Sequence, residues 1–265
     1  MNHISSRNNA IIKNVIKLNS NAKERREQKV FAAEGLRLCE EALKSNAQIE
    51  SAFISETAFQ NNNGFAKQLC GRAIHSYMVS DNLFKSISAT KTPQGILILI
   101  KILDKTETFD RINGNKNYIL LEDIQDPNNM GAILRSAAAL WVNGVILSKH
   151  CCDIYSPKVV RGSMGAVFKL LFQYAENPKD YVVSFNKSGI SYAAVVNESA
   201  IKINEVSFSG HSLIVIGNEA NGLSKELVDS CSKKVIIPMD EKSESLNAAA
   251  AASILMWELI RNGQK

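Results

Sequence analysis

The chain has 265 residues, is 45% hydrophobic and 22% charged, and carries a formal net charge of +5, a profile that suits a globular protein long enough for two domains. No run approaches the roughly eighteen apolar residues of a membrane helix, and the opening MNHISSRNNAIIKNVIK lacks the apolar core and cleavage pattern of a secretory leader. The expectations are no membrane partner and a cytoplasmic location, and the five scattered cysteines, with no C-x-x-C spacing, are read as reduced structural thiols with no metal site.

The charge is uneven. Residues 1–30 hold seven Lys/Arg against two Glu, which accounts for the whole excess of +5. A basic arm ahead of near-neutral domains suits a polyanion such as RNA, although a solvated helix explains the same charges. Ala10 to Leu18 has the apolar spacing of a one-sided helix. Val30–Ala33, Ile49–Ile54, Ala73–Val79 and Ile96–Ile100 read as strands, separated by helical patterns at Leu36–Lys44, Thr57–Cys70 and Asp81–Ile87. This alternation predicts a small α/β domain over residues 1–108. The polar stretch around Gly114 sets a linker at 109–116, and a second domain covers 117–265.

In the second domain, strands are expected at Tyr118–Glu122, Gly144–Leu147, Val167–Tyr174, Ser191–Val196, Leu213–Ile216 and Val235–Ile237. Helices are expected at Asn129–Trp141, Ser156–Gly165, Pro178–Ser188, Ser224–Cys231 and Leu246–Arg261. A βα alternation with short, continuously apolar strands predicts a largely parallel sheet covered on both faces. The segment after the first of these strands reads Asp123-Ile124-Gln125-Asp126-Pro127-Asn128-Asn129 instead of G-x-G-x-x-G, which excludes an ordinary dinucleotide-binding turn.

The last fifty residues concentrate the unusual chemistry. Gly217-Asn218-Glu219 follows one strand and Pro238-Met239 follows the next, at the carboxyl ends where ligands of open parallel sheets bind. Leu213–Ile216 and Val235–Ile237, joined by one helix, read as a parallel pair. The final helix, with Ala248–Ala252 and then Ile254, Leu255, Met256, Leu259 and Ile260, is expected to be buried nearly all round. Ser243 or Ser245 can cap it, with Asn247 just inside.

Three ordered motifs carry a resemblance. Asn129-Met130-Gly131-Ala132-Ile133-Leu134-Arg135, then Gly217-x-Glu219-x-x-Gly222-Leu223, then Ile237-Pro238-Met239 with Ser245-Leu246-Asn247 resemble the SpoU/TrmH-type RNA 2′-O-ribose methyltransferases of the SPOUT class. Ala220 and Ala248 stand where glycine and valine are frequent in that family. The resemblance extends over nearly the whole chain: the loops Glu34-Gly35-Leu36-Arg37 and Thr92-Pro93-Gln94-Gly95 resemble the family's substrate-recruitment domain, which is similar to a small RNA-binding ribosomal protein.

The resemblance implies a C-terminal domain folded as a deep trefoil knot, joined to another copy as a homodimer, with S-adenosyl-L-methionine as cofactor. Gly217, Ile237 and Leu246, flanked by Ile216 and Met239, would contact that cofactor. Arg135 would stabilise the developing alkoxide or a phosphate, and Asn129 would orient Arg135 and the ribose. Glu219 would orient Arg135 or relay the proton, and Asn247 and Ser245 would complete the hydrogen-bonding shell. RNA would meet Arg161, Arg37, and Arg25 and Arg26 of the basic arm. Ribosomal RNA is expected ahead of tRNA because the recruitment domain is present. An RNA-binding or ribosome-assembly factor without catalysis is the reading from another class.

Overall fold

The computed structural model describes residues 1–45, 47–102, 116–197, 199–208, 210–240 and 245–261. The expected linker, apart from Lys116, and the cap candidate Ser243 lie outside them. Two compact units are formed, one from Met1–Leu103 with Asp153–Lys169, the other from Asp104–Cys152 with Leu170–Lys265. The single cut expected from the sequence does not anticipate the excursion of residues 153–169 into the first unit.

In the first unit, β1 (Asn2–Ile4), β2 (Val30–Glu34), β3 (Ile49–Ser55), β4 (His75–Val79) and β5 (Ile96–Lys101) make one sheet in the order β1-β4-β3-β5-β2. The β1, β4 and β3 strands run parallel, and β5 is antiparallel to both its neighbours. Helices α1 (Ala10–Ser20), α2 (Ala22–Gln28), α3 (Leu36–Lys44), α4 (Glu56–Asn61), α5 (Asn63–Arg72) and α6 (Asp81–Ile87) connect the strands. The expected single helix over Thr57–Cys70 is two, because Asn62 leaves the helical region at φ −129°.

The basic stretch is no free arm. The β1 strand pairs with β4, and Ile12, Val15 and Leu18 of α1 are buried in the core with Phe53, Phe84 and Leu97. The α2 segment, AKERREQ, has no apolar periodicity to announce it. Its signal is Asn21, whose side chain accepts from Lys23 N and Glu24 N and so caps the helix.

Arg25 does not serve as a surface phosphate contact. It is only 4% exposed, donating from Nε to Asp153 Oδ2 at 2.7 Å and from Nη1 to the Leu18 carbonyl. A buried ion pair loses most when one partner is removed, because the other charge is left uncompensated. Asp153→Ala should therefore cost about 3–5 kcal/mol of stability, while replacing Arg25 and Asp153 together by apolar residues should cost clearly less. Urea unfolding of the two variants checks this; equal losses would exclude a buried unpaired charge as the cause.

In the second unit, β6 (Asn117–Leu121), β7 (Gly144–Ser148), β8 (Phe172–Ala175), β9 (Ile190–Ala194), β10 (Ile201–Lys202), β11 (Ser212–Ile216) and β12 (Lys233–Ile236) form one sheet. The order is β10-β12-β9-β11-β6-β7-β8, with every pair parallel. The β11 and β12 strands are not neighbours as expected, since β9 lies between them and pairs with both. The expected strand Val167–Tyr174 is also corrected. Ala166–Phe168 is a 3-10 turn in the first unit, entered through Gly165 at φ +92°, and β8 begins only at Phe172.

Helices α7 (Pro127–Ala139), α9 (Pro178–Phe185), α10 (Lys225–Ser230) and α11 (Ala248–Arg261) belong to this unit, and the short α8 (Pro157–Gly162) to the first. Helices α7, α8 and α9 share one start signal, a capping Asp126, Ser156 or Asn177 followed by proline, whose missing N–H is no loss at a helix start. After β12 the chain doubles back, and α11 packs on α7, β11 and β6. Among the described residues no helix is long and apolar enough to cross a membrane, and no cluster of three metal-ligating side chains occurs.

Candidate active site

The carboxyl ends of β9, β11 and β12 open into a cavity of about 520 Å³, within the range of small-molecule sites. Its walls are Ala194–Val196 after β9, Ile216–Leu223 after β11, Val235–Ile237 with Met239 after β12, and Ser245, Leu246, Ala248, Ala251 and Leu255 of the last segment. Gly217, Ile237, Leu246, Ile216, Met239, Glu219 and Ser245 all line it as expected. Asn129, Arg135 and Asn247 are not among its wall residues.

The loop after β11 is shaped by its own hydrogen bonds. Asn218 and Gly222 exchange N–H to carbonyl bonds at 3.0 Å in both directions. The Asn218 Oδ1 accepts from Ala220 N and Asn221 N, and its Nδ2 donates to the Asp123 carbonyl at 2.7 Å. Glycine at 217 is required by this loop: a Cβ there would lie 2.2 Å from the Gly222 carbonyl carbon. The sequence reading, which assigned Gly217 to cofactor approach, missed both that contact and Asn218, although an asparagine four residues before a glycine is a recognisable Asx-turn signal.

Behind the cavity, one chain of side chains joins three segments. Asn247 Oδ1 accepts from Ala249 N and Ala250 N, so Asn247 is itself the cap of α11. Its Nδ2 donates to Asn129 Oδ1 at 2.9 Å, and Asn129 Nδ2 donates to Glu219 Oε1 at 3.1 Å. Helix N–H groups can only donate and a carboxylate can only accept, so both ends of the chain fix the orientation of both amides. Asn129 is thereby committed to Glu219 and Asn247 and does not hold Arg135.

Glu219 also accepts from Gln125 N and Asp126 N, and from Asn218 Nδ2 at 3.4 Å. Burial pushes its carboxyl up, but the Asn129 amide and the backbone N–H groups outweigh that and hold it below the ordinary carboxylate range. Such a group is ionised throughout the neutral range and its oxygens are occupied by donors, which suits a positioning anion and not a proton relay. Its contribution to stability is present above the unfolded-state value and is lost as pH falls through the lowered folded one. Glu219→Gln should accordingly reduce the reaction rate by a similar factor at every pH between about 6 and 9. A rate limb in that window that vanishes in the variant would restore Glu219 as the base.

Arg135 lies six residues beyond Asn129 on α7, about 9 Å further along the axis and about 120° round it. Asn129 is buried and Arg135 exposed, so they do not share a face. The Arg135 guanidinium makes no side-chain hydrogen bond or ion pair with any described residue and is open to an incoming group. Of the expected RNA contacts, Arg26, Arg37 and Arg161 are exposed.

The cavity has no Lys, Arg or His among its described wall residues, and one carboxylate, Glu219. That wall is suited to a ligand carrying a positive centre and an apolar ring, and unsuited to a pyrophosphate. Ile216, Ile237, Leu246 and Leu255 supply apolar surface, and the loop from Gly217 to Leu223 supplies main-chain groups.

Residues 116–257 match the SpoU rRNA Methylase family, and residues 9–98 match the MRM3-like substrate binding domain. The 23S rRNA (guanosine(2553)-2′-O)-methyltransferase RlmP of Bacillus subtilis is 27% identical, over 98% of this chain and 99% of that protein. The 23S rRNA (uridine(2479)-2′-O)-methyltransferase of Streptomyces viridochromogenes is 30% identical over 69% of this chain and 66% of its own length. The AdoMet-bound rRNA methyltransferase from Sinorhizobium meliloti superimposes with a TM-score of 0.88 at 25% identity, covering 99% of this chain and 98% of that one.

Proposed function

The chain belongs to the SpoU rRNA methylase family, and from that premise we propose that it methylates a ribose 2′-hydroxyl of ribosomal RNA with S-adenosylmethionine. The observation that carries the reading is the cation-free cavity at three parallel strand ends, with Glu219 on its wall and the Glu219–Asn129–Asn247 chain behind it. The cofactor, when bound, supplies an electrophilic methyl group on a sulfonium. Glu219 offers the cavity its negative charge, and Ile237 and Leu246 give walls for an apolar ring. Arg135, permanently protonated, stabilises negative charge on the ribose oxygen or an adjacent phosphate.

What remains is positioning: an oxygen of high pKa must be held in line with the methyl group, and its developing charge must be met by a fixed donor. The two relatives act on guanosine and on uridine, which supports a site that reads ribose and leaves the choice of base to other contacts. A cytoplasmic location follows from the same reading. The chain also pairs with a second copy through α11. Its burial is one-sided, not all-round as the sequence suggests: Ile254 and Trp257 are 39% and 52% exposed on one face. Light scattering of the protein with both residues changed to Glu should register a monomer.

The test of function is incubation of the full chain with methyl-labelled S-adenosylmethionine and unmodified large-subunit rRNA transcript. Label is expected in alkali-resistant dinucleotides, the mark of a blocked 2′-oxygen. Label released on a free modified base would refute the ribose assignment.

A further inference from the structure

We propose that the first unit contains a second site, a preorganised cleft that grips the phosphodiester backbone of the RNA substrate through Arg37, Lys91 and Arg161. The cleft has a volume of about 620 Å³ and shares no wall residue with the cavity of the second unit. It rests on the reading of the substrate as RNA, and it adds where and through which chemistry that RNA is held.

Two loops build it. Glu34, at the end of β2, accepts from Ser88 Oγ at 2.6 Å, Thr90 Oγ1 at 2.8 Å and Ala89 N at 2.9 Å, which ties residues 88–90 to the strand. Gln94 Oε1 accepts from Leu36 N at 2.9 Å, and the Gly35 N–H donates to the Ile96 carbonyl, so the loop before α3 is tied to the loop before β5. Gly35 has φ +100°, and a Cβ there would come within 2.9 Å of Gln94 Oε1, so the turn is specific to glycine. The third side is Arg161 and Met164 at the end of α8.

The charge of this cleft is one-signed where it is available. Glu34 is the only carboxylate on the wall, and both its oxygens are taken up by the loop it holds. Arg37, Lys91 and Arg161 are exposed and make no ion pair or side-chain hydrogen bond with any described residue. Three unpaired cations on a fixed frame favour an anion at little cost in reorganisation. No aromatic side chain lines the cleft, and its apolar groups are Leu38, Ala89 and Met164. Without a stacking platform, sugar and phosphate are recognised and bases are not. The ligand is therefore a stretch of backbone and not a free nucleotide.

The test measures binding of the full chain to a fluorescein-labelled mixed-sequence RNA of about thirty nucleotides across a salt series. The substitutions Arg37→Ala, Lys91→Ala and Arg161→Ala are combined, with Lys67→Ala, Arg72→Ala and Lys85→Ala as a control that removes the same charge elsewhere on the same unit. The cleft variant should bind at least about tenfold more weakly at physiological salt and lose two to three units of the slope of log K against log salt, at about 0.9 per phosphate contact. The control should lose markedly less. An abasic RNA should compete as well as the normal one, and inorganic phosphate or AMP at millimolar level should not compete. Unchanged unfolding midpoints show that the variants are folded; if the triple variant is not, each single substitution should still remove about one unit of slope. Equal losses in cleft and control variants, or competition by AMP, overturn the cleft while the RNA reading stands. No binding of RNA by the unmodified chain overturns both.

Discussion

Arg135→Ala should slow single-turnover methyl transfer by roughly a hundredfold or more, the loss expected for one fixed charge-stabilising donor, while affinity for S-adenosylmethionine stays within a few-fold. The two effects separate because Arg135 is not on the cavity wall and carries no bond in the Glu219–Asn129–Asn247 chain. Arg135→Lys should recover only part of the rate, since lysine keeps the charge and loses the planar fork. A rate unchanged in either variant would mean that Arg135 is an ordinary exposed residue of α7. Rate and cofactor affinity falling together with the unfolding midpoint would make it a structural strut.

Gly217→Ala should give the opposite pattern, with cofactor affinity falling at least tenfold. Its new methyl would meet Gly222 C at 2.2 Å and Gly222 O and Leu223 N at 2.3 Å. Backbone cannot swing aside as a flexible side chain can, so the paired Asn218 and Gly222 must part and the cavity wall must move. Overpacking of this kind costs about 1–3 kcal/mol of stability. Gly222→Ala is the informative comparison. At φ +67° a methyl meets open space, so only left-handed strain of about 1–2 kcal/mol is added, and the loop keeps its form. Calorimetric titration and thermal unfolding of both variants decide the matter. Equal cofactor affinities in the two would show that strain, and not the clash at 217, governs the loop.

Element existence was legible wherever one physical signal dominated. The apolar runs at Ile96–Lys101 and Ser212–Ile216 are strands because both faces are covered, and α3 and α6 keep the bounds their periodicity predicts. Where charge replaced apolar spacing, as in α2, the helix was invisible to periodicity and stood only on the Asn21 cap. Arg25 shows the same limit from the other side: as a charge in a basic stretch it reads as a phosphate contact, and only burial beside Asp153 reveals a strut.

The order of the three motifs and the residue types within them determined, by themselves, the fold class, the cofactor and the wall of its cavity, because those residues sit at strand ends that local pattern already locates. Tertiary structure alone decided which of the motif residues meet. Asn129 stands 90 residues from Glu219 and 118 from Asn247, and they converge because β9 inserts between β11 and β12 and the chain returns to lay α11 on α7. That convergence commits Asn129 to the carboxylate and leaves Arg135 exposed on another face. Spacing along one helix fixes an angle and a rise, but what lies at that angle is supplied by strands and helices distant in sequence, and no local pattern contains them.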